Sequence, residues 1–224
     1  MKRLLFMLLV VGVSAGLSQR SASGAAPNTL TPEEQKEGFV LLFDGKTLDQ
    51  FDVTPELAKS WHVEHGAIKT NAKVGGGTML TKEDYANFVL KAEFRAHPDI
   101  NSGIMLRNRR RRPPSGTRGP RGYELQIRDK DPGNYTGGSF LTASIVNVGK
   151  APADANIKPG EWNTFEVTAD GDHFVVIYNG KKVVDAHDTK MMLTAGAIGL
   201  QLAHPEDARD SDIEFRNLKI KRLP

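Results

Sequence analysis

Three residues spaced two apart, Glu124, Gln126 and Arg128, combine a carboxylate, an amide and a guanidinium in one short segment. They alternate with three apolar residues, and this alternation predicts a strand with polar groups on one face and apolar groups on the other. Such a polar row suits a sheet that grips a sugar. A solvated strand face is the alternative, and the segment by itself does not choose between the two.

A second polar pair closes a later apolar run. Gln201 lies between Leu200 and Leu202, so in a strand it faces away from the apolar side, and His204 follows at the strand's end. A histidine titrates near neutral pH and can therefore accept or donate a proton. Histidine is also a common surface residue, so both interpretations of His204 stay open.

Two further charged residues are candidates for the same kind of site. Arg107 ends a predicted strand, on the face opposite to Ile104 and Leu106. On that face it would hold a sugar hydroxyl, or it would pair with Glu93 across strands. Glu93 belongs to another alternating run and carries the same ambiguity.

The scaffold for these residues is predicted to be almost entirely β-structure. About ten or more strand-like runs follow one another, separated by turn signals of which Asn179-Gly180 is the strongest. A short helix is predicted at Thr31-Pro32-Glu33-Glu34 from its N-cap, its first-turn proline and its acids. So many strands favour two stacked sheets, and we predict an all-β, two-sheet antiparallel β-sandwich.

Residues 1–26 have the pattern of an export signal followed by a linker: two basic residues, an apolar run and then small residues. This segment holds Lys2, Arg3 and Arg20 and no acid, so its removal takes the formal net charge from +3 to 0. The lack of cysteine fits a bacterial periplasm or exterior without disulfides. We predict a periplasmic or secreted protein with one domain, residues 27–224, and no integral membrane segment after signal cleavage.

Several other classes of site have little support. Arg107 to Arg121 contains seven arginines and three prolines, which predicts an exposed loop; an anion grip is one interpretation and a solvated loop is the favoured one. The loop lacks interleaved aromatic residues, so no nucleic acid partner is predicted. No spacing matches a zinc site or a serine triad. No cofactor is indicated with certainty, although a divalent cation such as calcium, held by loop oxygens, stays open.

Nine segments, taken in order, resemble the 3-keto-disaccharide hydrolase domain family, which is common in secreted bacterial proteins. They are GFVLLFDGKTLDQF (38–51), Trp61 with VEHGAIK, FVLKAEFR (88–95), NSGIMLR (101–107), GYELQIRD (122–129), GEWNTFEV (160–167), YNGKKV (178–183), GAIGLQLAH (196–204) and FRNLKIKRL (215–223). The resemblance implies a jelly-roll sandwich similar to concanavalin A-like lectins and glucanases, with a carbohydrate bound on a concave sheet.

The resemblance also implies a reaction, the cleavage of glycosides already oxidised to a ketone at C3. A base removes the acidified C2 proton, the glycosidic oxygen leaves by β-elimination, and water later adds to the unsaturated sugar. On this basis Glu124 and His204 are the preferred catalytic pair. The candidates for binding the substrate and its enolate are Arg107, Gln126, Gln201 and Glu93.

Gln126 also argues against a different chemistry. Similar glucanases carry a second carboxylate two residues after the first, and an amide in that place disfavours ordinary retaining glycoside hydrolysis. Two alternatives to an enzyme remain: a non-catalytic carbohydrate-binding module on the same face, and a structural or interaction domain that uses the arginine-rich loop.

Overall fold

The computed structural model describes residues 25–71, 77–96, 100–110, 121–128, 141–190, 193–202 and 212–224. In these ranges the chain forms two short helices and thirteen strands. In chain order they are α1 (Pro32–Lys36), β1 (Val40–Leu41), β2 (Phe51–Asp52), α2 (Leu57–Ser60), β3 (Trp61–Glu64), β4 (Ala67–Thr70), β5 (Met79–Tyr85), β6 (Phe88–Ala96), β7 (Asn101–Asn108), β8 (Tyr123–Arg128), β9 (Asn163–Asp170), β10 (His173–Tyr178), β11 (Lys181–His187), β12 (Gly196–Leu200) and β13 (Ile213–Arg222).

The strands form two antiparallel sheets. The larger sheet has the order β11-β10-β9-β6-β13-β4-β3, and β1 also pairs with β13. The smaller sheet has the order β2-β5-β12-β7-β8. The prediction of a two-sheet antiparallel β-sandwich is therefore confirmed. Within the described residues, neither helix has the length and apolar composition that crossing a bilayer requires.

Alternation along the strands builds the core between the sheets. On β8, Tyr123, Leu125 and Ile127 are at most 2% exposed. The Tyr123 ring meets Phe174 of the larger sheet with ring centroids 4.7 Å apart, a contact that contributes about 1 kcal/mol beyond the area it buries. The residues between them on β8 consequently point away from the core, and this outer face of the smaller sheet carries the polar row.

The segment around Asn28 and helix α1 packs on the outer face of the larger sheet. The backbone N–H of Asn28 donates to Oδ1 of Asn217 at 2.5 Å, and the N–H of Asn217 donates to Oδ1 of Asn28 at 2.9 Å. Glu34 of α1 accepts a hydrogen bond from Lys219 at 2.6 Å. These contacts hold the segment to β13, which lies between β6 and β4 inside the larger sheet.

Candidate active site

Glu124, Gln126 and Gln201 lie on the outer face of the smaller sheet. Glu124 and Gln126 are on β8, and Gly103 of β7 stands directly opposite Gln126. On the other side of β7, the backbone N–H of Gln201 donates to the carbonyl of Gly103 at 3.0 Å. Opposed residues share a sheet face, and neighbouring strands lie about 4.8 Å apart. The sheet therefore brings these three predicted site residues together around Gly103.

The side chain of Glu124 lies over Gly103. A Cβ atom on residue 103 would stand 3.1 Å from both Cγ and Oε1 of Glu124, which is closer than ordinary van der Waals contact. Because glycine has no side chain, the carboxylate can reach diagonally from β8 across β7. The acidic group is consequently directed towards the side of the sheet where Gln201 lies.

Gln201 contributes an unsatisfied acceptor to this face. Its Oε1 is buried and has no hydrogen-bond partner within the described part of the chain. Its backbone, in contrast, is fixed, since the carbonyl accepts a hydrogen bond from the hydroxyl of Ser102 at 2.7 Å. A buried acceptor without a donor costs about 1–3 kcal/mol. A ligand hydroxyl that donates to Oε1 would recover that free energy.

Gln126 lies at the base of the site. It is 2% exposed, and its Oε1 accepts a hydrogen bond from the backbone N–H of Ile127 at 3.1 Å. Its backbone also bonds to an adjoining segment: its N–H donates to the carbonyl of Ser144, and its carbonyl accepts from Ala143, both at 2.9 Å. Gln126 is thus held in place, while Glu124, two residues earlier on the same strand face, is partly exposed.

The prediction that Arg107 faces away from Ile104 and Leu106 is wrong. Leu106 and Arg107 together stand opposite the single residue Ile198 of β12, which makes a β-bulge. Arg107 also has a positive φ of 50°, in the left-handed region. The bulge interrupts the alternation of β7, so Arg107 points into the interior and is only 1% exposed.

In the interior, the Arg107 side chain contacts backbone carbonyls and an aromatic ring. Its guanidinium donates to the carbonyls of Ala86 at 2.7 Å, Gly171 at 2.6 Å and Leu193 at 3.2 Å, and it lies 5.3 Å from the ring centroid of Phe174. Burial lowers the pKa of Arg107 from its ordinary value. Arg107 therefore ties three loop carbonyls together at one end of the sandwich and does not join the Glu124 cluster.

Glu93 also lies elsewhere. It is on β6, on the outer face of the larger sheet, and accepts a hydrogen bond from Nε of Arg216 at 2.7 Å. Arg216 in turn covers the ring of Trp162 at 3.9 Å from the centroid. The alternative pairing of Arg107 with Glu93 is wrong, because the two residues belong to different sheets.

His204 lies outside the described residues, in the segment 203–211. Its predicted role as the second catalytic residue stays a prediction. In the ranges that the structure describes, no three histidine, aspartate or glutamate side chains cluster closely enough to hold a metal ion.

Sequence analysis did not single out the neighbours of Glu124 in its own row. The row crosses all five strands of the smaller sheet through Glu124, Met105, Gly199, Leu80 and Asp52. A signal for it was present in the sequence, since Gly103 and Gly199 each interrupt a strand-like run. Glycine inside a strand often marks a place where another group approaches the backbone closely.

Solved structures resemble this fold closely. Two candidate glycosyl hydrolases from Parabacteroides distasonis ATCC 8503 match it. The first has 24% identity, a TM-score of 0.72 and coverage of 89% of this chain and 100% of its own. The second has 27% identity, a TM-score of 0.64 and coverage of 83% and 99%. The exoplasmic/lumenal domain of VIP36, bound to Ca²⁺ and Man3GlcNAc, has 10% identity, a TM-score of 0.53 and coverage of 84% and 90%.

The sequence comparisons give the family. No curated protein matches this chain significantly. A family model does match, and it covers residues 38–221, which includes every described strand of both sheets apart from the last residue of β13. With that match over most of its length, the chain belongs to the family of 3-keto-alpha-glucoside-1,2-lyase-like domains.

Proposed function

We propose that this protein cleaves glycosides that carry a ketone at C3 of the sugar, and that Glu124 is the base that removes the C2 proton. The observation that carries the proposal is the position of the Glu124 carboxylate, laid over Gly103 on the face where Oε1 of Gln201 is buried without a hydrogen-bond partner among the described residues. Membership of the lyase-like family supports the reaction class. The more general conclusion, a carbohydrate-related domain, rests on the family and the fold.

The proposed reaction uses the acidity that a C3 ketone gives to the proton on C2. The Glu124 carboxylate takes this proton, and the electron pair of the C2–H bond moves into the enolate of the ketone. The enolate then expels the glycosidic oxygen from C1, which leaves a double bond between C1 and C2. Addition of water across this double bond completes a net hydrolysis.

Three further residues have proposed roles. Gln201 accepts a hydrogen bond from a sugar hydroxyl through Oε1, which orients the ring above Glu124. Gln126 fixes the base of the site beneath the carboxylate. His204, three residues beyond Gln201, donates the proton that the departing oxygen requires. Arg107 and Glu93 have no part in the proposal, because their partners lie elsewhere.

The test is incubation of the protein with a 3-keto disaccharide and with its unoxidised parent, in H₂O and in D₂O, with mass spectrometry of substrate and products. We expect cleavage of the keto sugar alone and incorporation of deuterium at C2. The Glu124→Gln variant, which keeps the shape of the side chain, should lose at least a hundredfold in rate.

A matched control is Glu166→Gln, a partly exposed glutamate on β9 of the other sheet, which should leave the rate unchanged. A Glu124→Gln variant that folds and loses less than tenfold would remove Glu124 from the mechanism. Binding of unmodified glycans without cleavage of any keto sugar would instead identify a carbohydrate-binding module.

A further inference from the structure

We propose that the group leaving from C1 presents a flat, apolar, aryl-type face, and that it packs on a floor formed by Met105, Leu80 and Thr78. This inference rests on the proposed function, because it assigns the leaving-group side of the Glu124 site. It narrows the preferred substrates from glycosides in general to aryl glycosides, with disaccharides as poorer substrates of the same reaction.

The floor is built over Gly199 of β12. A Cβ atom on residue 199 would lie 2.6 Å from Cγ2 of Thr78, 2.8 Å from Cδ2 of Leu80 and 3.1 Å from Cβ of Met105. Three side chains from β7 and the β5 side of the sheet thus converge above one glycine. Leu80 and Met105 stay partly exposed, so their apolar surface is available on the outer face.

The floor adjoins the acidic group directly. Met105 is the residue opposite Glu124 on the neighbouring strand, and opposed residues have Cβ atoms about 5 Å apart. In a sugar whose C2 lies at Glu124, the substituents on the neighbouring ring carbons are therefore within reach of Met105. The substituent that the proposed reaction releases is the one on C1, the carbon next to C2.

The chemistry of the floor selects the class of leaving group. Thr78 turns its methyl group towards Gly199, and Leu80 and Met105 have no strong hydrogen-bonding atom. A second sugar placed there would bury hydroxyl groups without partners, which is costly. An aromatic ring would instead bury apolar area on both sides of the contact.

Beyond the floor the row becomes polar again. Asp52 stands opposite Leu80, and a depression of about 630 Å³ lined by Asp52, Val53 and Lys82, among others, opens beside it. From β8 to β2 the row crosses four strand spacings, or about 19 Å. This length accommodates a sugar, an aryl group on the floor and polar substituents on that aryl group.

Binding of unoxidised ligands tests the floor separately from catalysis, since a sugar without the ketone is not cleaved by the proposed reaction. Calorimetry would compare both anomers of phenyl glucoside with methyl glucoside and with a glucose disaccharide. We expect phenyl glucoside of one anomer to bind about tenfold or more tightly than either other ligand. Leu80→Asn should abolish that difference by weakening the binding of phenyl glucoside.

Two controls accompany the measurement. Met105→Leu keeps the floor apolar and should keep the preference, and Val89→Asn, on the outer face of the larger sheet, should have no effect. Equal affinity for phenyl and methyl glucoside, tighter binding of the disaccharide, or a preference that survives Leu80→Asn would each overturn the inference.

The failure of the inference is distinct from failure of the proposed function. Cleavage of a 3-keto disaccharide without any preference for phenyl glucoside would support the elimination reaction and contradict the binding of an aryl group on the floor. A phenyl preference that depends on Leu80, without cleavage of any 3-keto glycoside, would keep the floor as a binding site and overturn the reaction.

Discussion

The replacement of Gly103 by alanine separates the role of this glycine in the site from its role in the sheet. The new Cβ would stand 3.1 Å from Cγ and Oε1 of Glu124 and 3.0 Å from the backbone oxygen of Leu125. The backbone oxygen is held in the sheet and yields little. The Glu124 side chain is the flexible partner, so we expect the carboxylate to move.

Stability should change little. Crowding of a packed position costs about 1–3 kcal/mol. Alanine recovers about 0.4–1 kcal/mol by restricting the unfolded chain, which leaves a net loss of roughly 1 kcal/mol. Catalysis should suffer more, because a misplacement of about 1 Å can cost a hundredfold, equivalent to about 2.7 kcal/mol in the barrier.

The assay is kcat/KM on a 3-keto glycoside together with urea denaturation of the same samples. Gly77→Ala is the matched control, since a Cβ there would meet no atom of the other described residues within 4 Å, apart from its chain neighbours; it should leave both quantities unchanged. A folded Gly103→Ala variant with kcat/KM within threefold of the unmodified protein would refute the inference that the Glu124 carboxylate must lie over residue 103.

Two other predictions concern the structural charges. Burial raises the pKa of Glu34, but the hydrogen bonds from Lys219, Thr31 and Lys91 outweigh burial and hold the pKa below its ordinary value of 4.5. The contribution of the Glu34 carboxylate to stability should therefore be present above pH 4.5 and lost as the pH falls through the lowered pKa. Thermal unfolding of Glu34→Gln should show a loss of roughly 2 kcal/mol at pH 7 that vanishes in acid, and a constant difference at all pH values would contradict the linkage. Arg107→Lys should lower the free energy of unfolding in urea by about 3 kcal/mol with kcat/KM per folded molecule unchanged, because lysine cannot reproduce the three carbonyl contacts. A fall in kcat/KM without a loss of stability would contradict this structural role and indicate that Arg107 contributes to the active site.

The part of the site that alternation encodes was predictable from the sequence. Glu124 and Gln126 follow a strict two-residue period against buried neighbours, and Gln201 follows the same rule beside Leu200. Since burial of one face determines the register of a strand, these three residues had to share the outer face once their strands were neighbours. The N-cap at Thr31 with its following proline and acids was equally clear in the sequence, and helix α1 begins as predicted.

Other parts required tertiary information. The bulge opposite Ile198 turns the Arg107 side chain to the opposite face of the sheet, and no local pattern in NSGIMLR predicts this bulge. Alternation shows which residues of a strand share a face, but it does not show to which sheet the strand belongs. For this reason Glu93 was grouped with residues of the other sheet. Strand β5 has no clear strand signal in the sequence, because its consecutive residues Lys82, Glu83 and Asp84 are all exposed. They interrupt the apolar alternation two residues after Leu80, which belongs to the floor.

The position of β13 has a consequence for the order of assembly. This strand follows all the others in the sequence, yet it lies between β6 and β4 and receives the Asn28 segment through Asn217. Until residues 213–222 have been synthesised, β4 and β6 both present unpaired edges, and the Asn28 segment lacks the paired hydrogen bonds with Asn217. Unpaired edges template association between chains, and contacts between such distant residues form slowly. The larger sheet therefore closes only after the whole domain has left the ribosome, and a chain that stops before β13 is expected to aggregate instead of forming a partial sandwich.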